Sequence, residues 1–188
     1  MIDFTFLVVG SLMLLLGYAV MGRSNLGRMK QQADKAWALI EKPVSQRREA
    51  VRELEAWCQR SMPHESAALA RVLAAQAQVV SAHQAFDVAA FCAAETELRT
   101  GLNLLFTAAQ RGGEQSATEN LRRRISGHGT DIAERSRLYN SAANFHNMQI
   151  KQFPYLLLAR PLGFQPFDRL ASDRWETSGL RDSIPPQP

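Results

Sequence analysis

Cysteine is scarce. Cys58 and Cys92 are the only two in 188 residues, so no disulfide framework holds the chain together, and reduced thiols suit a cytoplasmic setting. No Lys or Arg precedes Arg23, which removes the basic n-region that a cleaved secretory signal would carry, although Gly17-Tyr18-Ala19 resembles a small-residue cleavage site. After Gly22 no apolar run is long enough to span a bilayer. Strand-like alternation and internal repeats are missing as well, which leaves helix as the only regular structure that the pattern supports.

Catalytic and ligand-binding signatures are equally thin. His64-Glu65 opens like the HExxH of zinc peptidases, but Ala68 stands where the second histidine belongs, and the next one is His83. That motif needs two histidines one helical turn apart on one face to bind zinc. The cysteines show no paired ligand spacing, and no serine lies in a Gly-x-Ser-x-Gly elbow. Gly112-Gly113 and Gly127-His128-Gly129 lack the preceding strand and the spacing of a phosphate loop. No enzyme activity, cofactor or metal is therefore expected. The rival reading is an envelope-associated hydrolase or modifying enzyme, which would gather His64, Glu65 and His83 around a cavity. Arg122-Arg123-Arg124, with Arg111, Arg135 and Arg137, are diluted by Glu119, Asp131 and Glu134. No aromatic residues interleave with them, so a solvated helix face is expected and nucleic acid is not.

What the chain does have begins at Phe4. Eighteen residues to Met21, FTFLVVGSLMLLLGYAVM, carry no charge and would reach about 27 Å as a helix, close to the thickness of a bilayer's hydrocarbon. Phe4, Leu7, Leu12, Leu14, Leu15 and Leu16 are the main contributors to this expected single membrane span. Residues 23–60 hold nine basic and five acidic side chains. A positive flank marks the cytoplasmic side, so the short N-terminus is expected outside and the bulk of the chain inside the cell membrane.

Beyond the span the three- and four-residue recurrence of Leu26, Met29, Ala33, Ala36, Trp37 and Ile40, continued by Val44, Val51, Leu54 and Cys58, predicts a long amphipathic helix over 24–61. Pro43 interrupts it. One helix bent at Pro43 or two shorter antiparallel helices both satisfy the pattern; the lack of Gly or Asn nearby favours the first. A second helix follows from Glu65 to about Gln84. After a weakly marked joint near Phe86–Val88, a third from about Ala89 to Gln110 aligns Phe91, Leu98, Leu102, Leu105 and Ala109. Gly112-Gly113 provides a stop, and Ser116 with Glu119 reads as a capping box for a fourth helix running to Phe153. The resulting expectation is an all-α chain: residues 1–22 a transmembrane anchor, 23–164 an antiparallel up-and-down four-helix bundle with long helices 1 and 4, and 165–188 a flexible tail. Trp37, Leu54, Leu102, Tyr139 and Ile150 are expected in its core.

Along the fourth helix, Tyr139, Ala143, His146, Ile150 and Phe153 form a core-facing stripe. Asn140, Asn144, Asn147 and Lys151 run beside it, either bonding between helices to set register or offering a polar groove to a partner. The segment Phe153–Phe167 is apolar and too short to span. Either it caps the base of the bundle or it lies on the bilayer surface, with Tyr155, Phe164 and Phe167 among headgroups and Arg160 or Lys151 on anionic lipid.

With these residues in view the chain resembles the LemA family. Ala36-Trp37, Ile40, Arg47-Arg48, Leu54 and His64-Glu65 match the order and spacing of its upstream run. Tyr139-Asn140, Asn147, Ile150, Phe153-Pro154, Ala159 and Gly163-Phe164 match its downstream one. His146 stands where the family usually has a second tyrosine, and Arg52-Glu53 replaces a Pro-Asn, which marks a divergent member. The resemblance implies an N-terminal span carrying a cytoplasm-facing helical bundle of undefined molecular activity. The expected function is accordingly a membrane-anchored scaffold or adaptor whose partners are the lipid bilayer and an unidentified protein. Peripheral lipid binding is a further alternative.

Overall fold

The computed structural model describes residues 2–113, 115–153 and 155–170, and among them every regular element is helical. Two compact units divide the chain. One comprises Met1–Ala36 with Tyr139–Arg169, and the other is built on Trp37–Leu138.

Helix α1 runs without interruption over Ile2–Ala38, and α2 over Glu41–Ser61. The interruption expected at Pro43 falls instead at Leu39-Ile40. Proline lacks the N–H that would bond the carbonyl four residues earlier and its ring crowds that carbonyl, so the damage appears one turn upstream at Leu39. Pro43 itself sits in the first turn of α2, where its missing donor costs nothing. Ile40 keeps helical dihedrals (φ −73°, ψ −24°). Its N–H bonds Trp37 O at 3.0 Å, so a tightened turn links the two helices.

A 3₁₀ turn over Pro63–Glu65 leads into α3, Ser66–Gln84, and a three-residue joint leads on to α4, Val88–Arg111. Asp87 caps α4 by accepting from the Ala90 N–H at 2.8 Å, satisfying one of the orphan donors of the first turn. Phe86 holds a left-handed backbone (φ +56°), normally a glycine conformation. Its ring rests on Trp37 at a centroid distance of 4.7 Å, which offsets that strain.

In the Trp37–Leu138 unit, α3 and α4 form an antiparallel hairpin, because residues equally far from the joint meet. Gly101 approaches Val72 so closely that a Cβ there would lie 2.8 Å from Val72 Cγ2. The expected stripe of Phe91, Leu98, Leu102, Leu105 and Ala109 is buried along α4. Burying a large apolar side chain contributes about 1.5–3 kcal/mol. Trp37, Leu54 and Leu102 are core residues here, as Tyr139 and Ile150 are in the other unit.

Gly112 and Gly113 (φ +79°) end α4. Helix α5 spans Gln115–Gln149, so Ser116 lies inside the first turn instead of capping it. Gly127 and Gly129 do not break the helix. It stops four residues short of Phe153, and a five-residue α6, Tyr155–Ala159, follows. Pro154 and the tail from residue 171 onward lie outside the described residues.

Candidate functional site

The C-terminal part of α5 places Tyr139, Ala143, His146 and Ile150 on one buried face. Phe153 does not join them. The helix has ended at Gln149, its register is lost, and the ring is 81% exposed.

Residues 164–168, at the point where a flexible tail is expected from 165 onward, lie along this face. Asn147 clasps Phe167 from both sides, its Nδ2 donating to Phe167 O and its Oδ1 accepting from Phe167 N–H, each at 2.8 Å. An amide side chain carries one donor group and one acceptor, and here it imitates the edge of a strand. Tyr139 Oη donates to Asp168 O at 3.0 Å. The Phe167 ring meets His146 edge-on at 5.0 Å and Tyr139 at 6.4 Å.

Asn147 is thus occupied with its own chain. Asn140 is half-buried, while Asn144 and Lys151 are exposed.

His146 is buried, and neither ring nitrogen has a hydrogen-bond partner among the described residues. Burial pushes its pKa below the usual histidine value, with weaker upward pulls from the Asn147 amide and Asp34 and a downward push from Lys30. A neutral ring results, fitted between Phe164 and Phe167.

The segment read as a bilayer-surface element divides in two. Tyr155 and Phe164 turn inward onto a cluster of Leu26, Ile150 and Ala159 joined by Met29. Asn25 Nδ2 donates to Tyr155 Oη at 3.3 Å. Phe167 is half-buried under the clasp, whereas Arg160 and Lys151 are exposed. For these three rings the structure corrects the headgroup placement: among the described residues of the segment, the large apolar groups left to solvent are Phe153, Leu156 and Leu157.

Toward the N-terminus, Leu7, Leu12 and Leu14 are exposed. The side chains of Phe4, Leu15 and Leu16 lie outside the described residues. Among the described residues no helix is long and apolar enough to cross a membrane.

In the Trp37–Leu138 unit the buried ion pair is committed to packing. Arg47 reaches across from α2, bonding Gln76 Oε1 on α3 at 3.2 Å and forking onto both carboxylate oxygens of Glu95 on α4. Both members of this ion pair are buried. It is the residue set that sequence reasoning missed. The signal was Glu95 itself, a charge one turn from Phe91 and from Leu98 on an otherwise apolar stripe.

His83 stacks on Trp37 at 5.1 Å and 6°. It donates from Nε2 to Trp37 O while Trp37 Nε1 donates to His83 O. His64 is exposed at the opposite end of α3, about 28 Å away along the helix. His64, Glu65 and His83 therefore do not converge. No group of three or more His, Cys, Asp or Glu side chains among the described residues is placed to hold a metal.

Cys58 and Cys92 are free thiols. Burial, aided by Glu65, pushes Cys58 up to about 11. Of the arginine cluster, Arg122 and Arg123 pair with Glu119, and Arg124 forks onto Glu53 of α2. That pairing lowers the Glu53 pKa.

Among the described residues every regular element is helical, the C-terminal segment is tied down, and the buried Arg47–Glu95 pair is spent on packing, which defines the class as an all-helical protein. The chain belongs to the LemA family, whose sequence profile matches residues 36–178. No curated protein and no solved structure matches it significantly.

Proposed function

We propose that this protein is a single-pass, membrane-tethered scaffold. Its N-terminus is outside, its helices stand at the cytoplasmic face of the cell membrane, and a helical surface is offered to a protein partner. One observation carries the reading. On α1 the consecutive residues Phe6, Leu7, Val8 and Val9, and then Leu12, Met13 and Leu14, are all at least half exposed. Large apolar side chains this exposed along one helix suit an apolar solvent, and lipid is that solvent. Arg23, Arg28, Lys30 and Lys35 follow directly, the charge pattern of a cytoplasmic flank.

The up-and-down four-helix bundle is supported by Arg47, which ties α2 to α3 and α4, and by the Arg124–Glu53 fork, which joins α5 to α2. The scaffold role over an enzymatic one is supported by where the chemistry-bearing groups lie. Arg47 and Glu95 neutralise each other in the core, and His83 is locked in an aromatic stack.

Alkaline carbonate extraction of membranes containing the full chain, followed by protease treatment of sealed vesicles, tests the tether and its orientation. The protein should stay in the pellet, with the N-terminus and the region around Cys92 cleaved from opposite sides. Release into the supernatant overturns the reading.

A further inference from the structure

Leu26 lies four residues past Gly22, about 6 Å further along the axis of α1. Leu26 is also the residue on which Ile150 and Ala159 pack, and Asn25 beside it is bonded to Tyr155 at the start of α6. The compact unit therefore holds α6 at the level where the uncharged stretch of α1 has just ended. Tyr155 and Ala159 face the cluster, while Phe153, Leu156 and Leu157 point away from it, 81%, 53% and 67% exposed. Three large apolar groups on a turn and a five-residue helix are poorly suited to water.

Charge is distributed to match. Residues 22–33 and 150–167 contain five basic side chains, Arg23, Arg28, Lys30, Lys151 and Arg160, and no acidic one. All five are exposed. A bilayer's headgroup layer, apolar below and negatively charged above, complements an apolar rim framed by cations. The lipid beside an anchored α1 is already within reach of α6.

Resting on the tethered reading above, we propose that α6 is a second membrane contact. Phe153, Leu156 and Leu157 enter the boundary between headgroups and acyl chains of the anionic inner leaflet, and Lys151 and Arg160 lie on the phosphates. The residues that touch lipid are then not the three rings Tyr155, Phe164 and Phe167, which hold the segment to α1 and α5.

The test uses the full chain in vesicles of phosphatidylcholine with about 30% phosphatidylglycerol. Leu157→Trp, Leu12→Trp and Ser141→Trp are compared with the parent chain, whose own tryptophans set the baseline. All three substitutions fall on exposed positions, so the fold is retained. Lipids brominated near the headgroup end of the acyl chain should remove about half of the emission added at Leu157 and none of that added at Ser141. Lipids brominated deeper should quench Leu12→Trp. Quenching at Leu12 without quenching at Leu157 overturns the α6 contact and leaves the tether standing. Quenching at neither position removes the tether and the inference with it. Emission from Leu157→Trp that is blue-shifted but unquenched means that protein, a second copy of this chain included, covers α6; that result overturns the proposal too.

Discussion

Arg47 and Glu95 face each other across the α2, α3 and α4 core as a two-pronged ion pair, and Gln76 takes the remaining Nε–H of the guanidinium. Removing one partner leaves an uncompensated charge in a region from which water is excluded. Arg47→Ala should therefore lose about 3–5 kcal/mol of stability. The double change Arg47→Met with Glu95→Leu should cost far less than the sum of its parts, because apolar side chains of similar volume need no partner. Urea titrations of the four chains of this cycle measure the coupling. Simple additivity would mean that the pair contributes nothing as a pair.

Asn147 holds Phe167 through two backbone hydrogen bonds. In Asn147→Ala both backbone groups lose their partner, at about 1 kcal/mol each. The segment around 164–170 should open while the helices stay folded. Hydrogen exchange should show faster exchange confined to that segment, whereas Asn144→Ala, on an exposed neighbour, should leave it unchanged.

Burial lowers the pKa of His146, so at mildly acidic pH the unfolded chain binds a proton that the folded chain resists. Stability is then complete above the ordinary histidine value of about 6.5 and declines as pH falls below it. His146→Phe keeps a ring between Phe164 and Phe167 and removes the titration. Thermal midpoints compared at pH 7.5 and 5.5 should fall by roughly a few degrees more in the parent than in the variant.

Glycines in three helical positions should respond with opposite signs. At Gly101 an added methyl would sit 2.8 Å from buried Val72 Cγ2. The overpacking cost of about 1–3 kcal/mol exceeds the roughly 1 kcal/mol gained in helix propensity. Nothing lies within 4 Å of a Cβ at Gly127 or Gly129, so alanine at either should stabilise by about 1 kcal/mol. Denaturation midpoints of the three single variants test the signs, and Val72→Ala should rescue Gly101→Ala.

Periodic patterns were readable from the residues alone. Phe91, Leu98, Leu102, Leu105 and Ala109 recur at helical spacing because they line one buried face of α4. Boundaries were less legible, since they depend on single residues with competing preferences. Asp87 caps α4 without the glycine that usually marks a joint, and Phe86 adopts a left-handed backbone with its ring on Trp37. Pro43 displaced its effect to Leu39-Ile40, a consequence of which carbonyl the ring crowds. Phe153 kept the heptad spacing after the helix carrying it had ended. Least legible was the clasp of Asn147 on Phe167, which joins residues twenty positions apart through backbone groups that have no sequence signature.

The unbroken course of α1 from Ile2 past Leu26 has a mechanical corollary. A flexible linker would let the greasy end of this helix turn freely; a stiff rod transmits torque. Any roll or tilt imposed at Leu12 by the surrounding medium arrives undiminished at Leu26 and Met29, and so at Ile150 and Tyr155, which rest on them. The C-terminal segment thereby inherits its heading from the first helix.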